Sequence, residues 1–146
     1  MTTVALIPTF KPNGNLFDVL EGLRREGIER VVVDDGSGLE YRSMFRRATQ
    51  DSVVLSYGVN HGKGYALKLG LRYIQEHYPQ DTVVVTVDAD GQHKVDDTIR
   101  CAREASRNPT RLYWVVGRST TREFPCEAGS VTKLPAWCTA LPRARG

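Results

Sequence analysis

The fold of this chain follows from one stretch, Val83-Val84-Val85-Thr86-Val87-Asp88-Ala89-Asp90-Gly91-Gln92-His93. It opens on a run of valines broken only by Thr86, and this β-branched run predicts a strand at 83–87 that is buried on both faces. The strand leads directly into the carboxylates of Asp88 and Asp90. Ligands of open α/β sheets bind at the carboxyl ends of the strands, so the stretch predicts a binding site containing two acidic groups.

Shorter apolar runs on either side of this stretch alternate with segments of helical periodicity. The predicted strands are 4–7, 31–33, 53–55, 83–87 and 112–116. The predicted helices cover apolar residues at 16–23 (ended by Gly27), 41–48, 66–74 and 95–106. This alternation predicts an α/β fold with a mostly parallel sheet and flanking helices.

The composition is that of a soluble globular domain. The chain has 146 residues, of which 40% are hydrophobic and 25% charged. Its net charge of +3 comes without a basic stripe interleaved with aromatic residues, which argues against nucleic-acid binding. No signal peptide and no apolar run near the roughly 20 residues of a membrane span is visible. The three cysteines (Cys101, Cys126, Cys138) lack metal-site spacing, so a reducing, cytoplasmic location is expected.

The acidic pair after the valine run is a candidate metal site. Side chains alternate along a strand, so Asp88 and Asp90 are expected to point to the same side, with Gln92 adding a carbonyl oxygen. Two neighbouring carboxylates repel each other unless a cation lies between them, and hard oxygen ligands suit Mg²⁺ or Mn²⁺. The alternative is an Asx turn that closes the strand and caps the next helix. His93 could add a further, softer ligand, but it is interpreted as an exposed loop residue.

Two further strand ends carry candidate binding groups. Asp34 and Asp35 follow the second strand and could accept hydrogen bonds from a nucleobase or a ribose; alternatively, one of them caps the short helix that follows. The segment Pro8-Thr9-Phe10 ends the first strand. It is either a wall for the base or sugar of a nucleotide or an ordinary strand terminus with a packed aromatic ring.

A glycine-rich segment at 60–64 leads into the third helix. Its backbone donors, the amino end of the helix and the ammonium group of Lys63 suit a diphosphate. The spacing matches neither a Walker loop nor a dinucleotide-binding fingerprint. The alternative is a flexible turn with an exposed lysine.

Four segments together resemble family 2 glycosyltransferases with the GT-A nucleotide-sugar fold. They are Ile7-Pro8-Thr9-Phe10, Val33-Asp34-Asp35-Gly36-Ser37, Asn60-His61-Gly62-Lys63-Gly64-Tyr65-Ala66 and Asp88-Ala89-Asp90-Gly91-Gln92-His93. The resemblance runs from about residue 4 to residue 118. The last segment is most similar to the branch that includes dolichyl- and polyprenyl-phosphate sugar synthases. The resemblance implies the amino-terminal half of a Rossmann-like GT-A domain.

The resemblance also implies an activity and roles for residues. The activity is metal-dependent transfer of a sugar from a nucleotide-diphosphate donor to an acceptor, with inversion. In the most similar branch the acceptor is a polyprenyl phosphate, which would place the protein at the inner face of a membrane. Nucleotide-binding residues would be Pro8, Thr9, Asp34, Asp35, Lys63 and Asp88, and metal ligands would be Asp88, Asp90 and Gln92. The catalytic base is expected in the second half of the domain. The family often has a basic residue where Arg118 stands, but the order Gly-Arg-Ser instead of Gly-Ser-Arg leaves its role open.

Residues 119–146 lose all strand and helix periodicity. They are interpreted either as a disordered tail or as the product of a frameshift near residues 118–120. The codons of residues 124–143, read one base out of frame, can spell a sequence similar to the family's continuation. The chain is then divided into a nucleotide-sugar-binding half, 1–118, and an irregular tail, 119–146. A sheet without its later strands is expected to be poorly stable or prone to aggregation.

Two other functions stay open at this point. One is a nucleotide-sugar or nucleoside-diphosphate binding fragment without transfer activity. The other is a GT-A-like nucleotidyltransferase. That class requires a glycine-rich, basic signature directly after the first strand, which residues 9–12 do not supply.

Overall fold

The computed structural model describes residues 2–91 and 95–107, without the side chain of Ser106. Strands and helices alternate along these residues. Some of the predictions lie outside the described residues: those for Gln92 and His93, the strand at 112–116, the role of Arg118 and the tail at 119–146.

The strands form one parallel sheet. They are β1 (Thr3–Thr9), β2 (Glu29–Asp34), β3 (Val53–Ser56) and β4 (Val83–Thr86), and their order is β3-β2-β1-β4. The register pairs Thr9 with Asp34 and Asp34 with Ser56, so the carboxyl ends of three strands lie side by side. The predicted parallel α/β sheet is confirmed for the described residues.

The helices lie close to their predicted positions. They are α1 (Asn15–Arg25), α2 (Arg42–Ala48), α3 (Lys63–His77) and α4 (Val95–Arg107). As predicted, Gly27 ends the first helix: its φ is +68°, and the following Ile28 N–H donates to the carbonyl of Leu23. A 3₁₀ helix, Leu39–Tyr41, precedes α2, so helical structure begins two residues before the predicted start.

Helices cover both faces of the sheet and bury two apolar clusters. α1, α2 and α4 pack on the face that carries Ile7 and Val32, and α3 packs on the face that carries Leu6 and Val33. All four side chains are fully buried, and each such burial contributes about 1.5–3 kcal/mol. α3 lies close to the sheet because Gly70 has no side chain; a Cβ there would come within 2.2 Å of Leu6 Cδ1.

β4 is less buried than its sequence predicted. Val83 and Val85 are buried beneath α4, but Val84 is only half-buried and Thr86 is exposed. The prediction of burial on both faces is therefore wrong for the face that carries Val84 and Thr86. The reason is the position of the strand: β4 lies at the end of the described sheet, whereas α3 packs over β1 and β2.

Candidate functional site

An open pocket of about 450 Å³ lies at the carboxyl edge of the sheet. Its walls come from the segments that follow all four strands. The lining residues are 8–13, Asp35, Asn60, Gly62, Lys63, Asp88, Ala89 and Asp90. All residues predicted to bind a nucleotide line this pocket except Asp34. The strand order brings these segments together from distant parts of the chain.

An ion pair joins two sides of the pocket. Lys63 Nζ donates to Asp88 Oδ1 over 2.6 Å, which is the short distance typical of a charge-assisted hydrogen bond. Both side chains remain accessible, at 61% for Lys63 and 36% for Asp88. The ammonium group therefore supplies positive charge next to this carboxylate. Because both groups face water, either can take another partner.

Asp90 lies in a turn and not on a continued strand. β4 ends at Thr86, and Ala89 and Asp90 form a turn, so the strand alternation that would align Asp88 with Asp90 does not reach them. The geometric reason given for their alignment is therefore wrong, although both residues line the same pocket. Asn15 Nδ2 donates to the carbonyl oxygen of Asp90 over 2.8 Å and fixes the turn against the start of α1.

The carboxylate of Asp35 is held by residues that follow β3. Its Oδ1 accepts hydrogen bonds from the Tyr57 hydroxyl (2.7 Å) and from the backbone N–H of His61 (2.8 Å). Its Oδ2 accepts one from Asn60 Nδ2 at 3.1 Å. Asp35 is only 3% exposed, so these donors compensate the cost of burying a charge. The carboxylate thus has a fixed position at the pocket wall.

The turn after β2 fits tightly against the segment after β3. Gly36 has a φ of +67°, a conformation that glycine adopts without strain. A Cβ at this position would lie 2.5 Å from the backbone N of Asn60 and the carbonyl carbon of Val59. Two features of the backbone therefore require glycine here, and the two segments pack directly against each other.

Asp34 has a structural environment different from that of its neighbour. Its Oδ1 accepts a hydrogen bond from the backbone N–H of Ser37 over 2.9 Å, which closes a local turn. Ser37 Oγ in turn accepts the backbone N–H of Lys11 over 2.9 Å and ties the β1 loop to the β2 loop. Asp34 does not cap α2, whose preceding residue, Tyr41, makes no side-chain cap. Its contacts stabilise the loops behind the pocket.

The loop after β1 forms one wall of the pocket. Phe10 is 50% exposed, and Lys11 Nζ lies 5.4 Å from the centre of its ring. The Thr9 hydroxyl donates to the carbonyl of Val33, so its side chain is engaged by the sheet. Lys11 has a φ of +47°, unusual for a residue with a side chain. Lys11 and the nearby Asn15 were not predicted from the sequence. Asn15 could have been found, because it is a polar residue at the start of a helix that follows a strand end.

The amino end of α3 borders the pocket. Gly62 has a φ of +89° and precedes Lys63, the first helical residue, and both line the cavity. A helix amino end carries a partial positive charge and unpaired N–H donors. Together with the ammonium group of Lys63, it makes this side of the pocket suitable for phosphate oxygens.

The donor chemistry of the acidic side fits a hard divalent cation. Asp88 and Asp90 both line the same pocket, and carboxylate oxygens suit Mg²⁺ or Mn²⁺. No group of three or more His, Cys, Asp or Glu that could hold a metal ion occurs within residues 2–91 and 95–107. The predicted third ligand, Gln92, lies outside the described residues.

A larger cavity, of about 660 Å³, lies between α2 and β3. Arg42, Arg46, Phe45 and Val54 are among its lining residues, and Asp34 is the one predicted site residue at its wall. It contains none of the residues that surround the ion pair of Lys63. Size alone therefore does not identify the functional site. The pocket at the strand ends is the one lined by five of the six residues predicted to bind a nucleotide.

None of the helices in the described part of the chain is both long and apolar enough to cross a lipid bilayer.

Comparison with known proteins connects this pocket to a family. The chain is 28% identical over 92 residues to Uncharacterized protein MJ1222 of Methanocaldococcus jannaschii, covering 63% of the chain and 37% of the relative. It is also 28% identical over 98 residues to Uncharacterized protein MJ0544 of the same organism, covering 64% of the chain and 42% of the relative. The chain therefore matches less than half of the length of each. The family described as Glycosyl transferase family 2 matches residues 4–125. Because this match spans most of the chain, the protein belongs to glycosyl transferase family 2, and its parallel sheet with flanking helices is consistent with a GT-A, Rossmann-like fold.

Proposed function

We propose that the protein binds a nucleoside-diphosphate sugar in the pocket at the strand ends and transfers the sugar to an acceptor with inversion. Membership of the family supports a glycosyltransferase-like function. The observation that carries the proposal is the meeting of Asp35, Lys63 and Asp88 in one pocket, although they follow three different strands. A single ligand could therefore meet both a carboxylate that accepts hydrogen bonds and a cationic site for phosphate.

Each side of the pocket has a proposed role. The fixed carboxylate of Asp35 would accept a hydrogen bond from the base or ribose, and the half-exposed ring of Phe10 would cover an apolar face of the nucleoside. Lys11, Lys63 and the amino end of α3 would neutralise the diphosphate. Lys63 pairs with Asp88 in the structure and would pair with a phosphate oxygen when the donor binds.

Asp88 and Asp90, with Gln92, are the proposed ligands of Mg²⁺ or Mn²⁺. Such an ion, when bound, supplies positive charge to the nucleoside diphosphate that leaves. The protein's own part is to present the carboxylates: Asn15 holds the turn at Asp90, and Asp88 Oδ1 becomes available when Lys63 turns from it to a phosphate oxygen.

The proposed acceptor is a polyprenyl phosphate. It is supported by the form of the segment at 88–93, which is most similar to the branch of polyprenyl-phosphate sugar synthases. This acceptor would place the reaction at the inner face of a membrane. The catalytic base is proposed to lie outside the segments shared with the two relatives.

Calorimetry on the full chain tests the nucleotide site. UDP, GDP and the corresponding nucleotide sugars are titrated with Mn²⁺ and, separately, with a chelator. We expect at least one nucleotide to bind, with an affinity at least about tenfold higher with Mn²⁺, equivalent to ~1.4 kcal/mol. The absence of binding by every nucleotide in both conditions would contradict the proposal.

A second candidate function is nucleotide-sugar binding without transfer. It is favoured by the extent of the similarity, since the matched segment covers 37% and 42% of the relatives. Release of nucleoside diphosphate from a bound nucleotide sugar, measured with and without polyprenyl phosphate in detergent micelles, distinguishes the two functions. Acceptor-dependent release supports transfer, and tight binding without release supports the second candidate.

We also propose the division of the chain into a nucleotide-sugar-binding part, 1–118, and an irregular tail, 119–146, created by a frameshift, although the family match extends to residue 125. Sequencing of the gene tests this. A shifted frame that continues with family-like sequence supports the division, and one that closes quickly argues against it.

A further inference from the structure

The hydrogen bonds of Asp35 leave one of its carboxylate oxygens able to accept a further hydrogen bond. A carboxylate oxygen accepts about two hydrogen bonds. Oδ1 already accepts two, from the Tyr57 hydroxyl and the His61 N–H, whereas Oδ2 accepts one, from Asn60 Nδ2. The remaining capacity is therefore on Oδ2, on a residue that lines the pocket. A ligand in the pocket meets an acceptor whose orientation is set by the segment 57–61.

The Tyr57 hydroxyl holds Oδ1 of Asp35 from outside the pocket. It follows β3 directly, is half-buried, and does not line the pocket at the strand ends. Its ring packs edge-on against Tyr65, with centroids 5.2 Å apart at 81°, and lies 5.7 Å from the ring of His61. Burial, and then the hydrogen bond to Asp35, raise the pKa of the Tyr57 hydroxyl, which therefore stays protonated as a donor. The ring contacts restrict its rotation, so the hydroxyl points at one oxygen.

We propose that Tyr57 is a positioning residue of the nucleotide site, which holds Asp35 Oδ1 so that Oδ2 faces the base or ribose of the ligand. The role depends on the proposed function, because Asp35 needs a nucleoside to recognise. Tyr57 lines the larger cavity between α2 and β3 and not the pocket at the strand ends, so it acts on a ligand there through Asp35. Its effect is expected on the nucleoside side of the pocket, because its hydroxyl donates to Asp35.

Tyr57→Phe tests the role because it removes only the hydroxyl. Calorimetry compares the affinities for UDP, GDP and inorganic pyrophosphate, all with Mn²⁺. We expect the affinity for the better of the two nucleotides to fall about tenfold, the loss typical of one hydrogen bond to a charged group, and the affinity for pyrophosphate to stay unchanged. A merely structural defect would weaken pyrophosphate as well.

Tyr65→Phe is the matched control. It removes a hydroxyl from the ring that packs against Tyr57, and Tyr65 does not line the pocket. We expect it to bind UDP, GDP and pyrophosphate as the wild type does. A loss equal to that of Tyr57→Phe would assign the effect to the aromatic cluster and overturn the proposal.

A double-mutant cycle with Asp35→Asn provides a second measurement. If Tyr57 acts only through Asp35, adding Tyr57→Phe to Asp35→Asn causes no further loss of nucleotide affinity. Additive losses would overturn the positioning role. Should Tyr57→Phe fail to fold, 3-fluorotyrosine at position 57 replaces it: its more acidic hydroxyl is a stronger donor, so nucleotide affinity must change while pyrophosphate affinity does not.

The outcomes separate this inference from the proposed function. A wild-type protein that binds no nucleotide rejects the proposed function, and the inference with it. A wild-type protein that binds nucleotide, with Tyr57→Phe unchanged or with equal losses for nucleotide and pyrophosphate, rejects the positioning role alone.

Discussion

The ammonium group of Lys63 lies 2.6 Å from Oδ1 of Asp88 and joins the amino end of α3 to the segment that follows β4. The sequence assigned Lys63 to the diphosphate, and Asp88 both to the nucleotide and to the metal. Their direct contact shows that the amino end of α3 and the acidic segment after β4 are adjacent. A ligand or cation that binds there must compete with this pair.

Replacement of Lys63 by glutamine should weaken phosphate binding and leave the fold intact. We expect about a tenfold lower affinity for inorganic pyrophosphate and for nucleoside diphosphates, because a charged donor to phosphate is lost. The melting temperature should change little, since an exposed ion pair contributes only about 0–1 kcal/mol. Calorimetry and thermal unfolding provide the two measurements.

Arg72→Gln is the control for this variant, because it removes the same charge from an exposed residue of the same helix. It should bind pyrophosphate as the wild type does. Equal losses in both variants would show that Lys63 acts only through the net charge of the protein.

Replacement of Asp90 by asparagine should remove the metal dependence of nucleotide binding. The substitution keeps the backbone carbonyl that accepts the bond from Asn15, so the turn is preserved. We expect the tightening by Mn²⁺ to disappear while affinity in the presence of chelator is unchanged. Asp96→Asn, in the first turn of α4, serves as the control and should retain the effect of Mn²⁺. A Mn²⁺ effect that persists in Asp90→Asn would remove Asp90 from the proposed ligands.

Replacement of Gly36 by alanine should destabilise the protein by about 2 kcal/mol or more. The φ of +67° strains any residue with a Cβ, and this Cβ would meet backbone atoms that cannot turn away. Denaturant unfolding measures the loss. Gly58→Ala is the comparison within the adjoining segment, because its Cβ would meet no atom within 4 Å and its φ is not positive. A similar, small effect of both substitutions would argue against the close packing of the two loops.

Glu21 should make stability depend on pH at the acidic end. Hydrogen bonds from Arg24 and then Arg25 lower the pKa of Glu21 from 4.5 to about 2. A pKa that is lower in the folded state means that the ionised carboxylate stabilises the fold above pH 4.5 and that this contribution is lost as the pH falls towards 2.

The melting temperatures of the wild type and of Glu21→Gln, compared across this range, check the effect. The difference should be largest above pH 4.5 and vanish near pH 2. Glu76→Gln, on the exposed side of α3, serves as the control for the loss of one surface carboxylate. A difference between wild type and Glu21→Gln that is independent of pH would contradict the assignment.

The elements of the fold could be predicted because each depends on local sequence. The β-branched runs at Val31–Val33 and Val83–Val85 form strands, and Gly27 ends a helix, since these residue types limit the backbone in any context. The exposure of Thr86 could not be predicted, because it depends on which strands α3 covers. Residue type alone does not specify that packing.

The sequence predicted which strand ends meet at the candidate site, but not which side chains contact one another there. The carboxyl ends of parallel strands meet at one edge, which was enough to group Asp35 with Asp88. The partners of Asp35 are 22 and 26 residues away along the chain, at Tyr57 and His61, and no local pattern indicates such bonds. The separation of Asp34 from the pocket depends in the same way on the turn closed by Ser37.

The backbone N–H of His61 donates to Asp35, so this one loop amide reports on the pocket wall that the segments after β2 and β3 form. Most loop amides exchange hydrogen with the solvent rapidly. The His61 amide donates to a buried carboxylate, so it exchanges only when the segments after β2 and β3 separate. Its exchange rate therefore measures how often that wall opens. The half-exposed pair of Lys63 and Asp88 needs no such opening to change partners, so the pocket combines a preorganised half with an adaptable one.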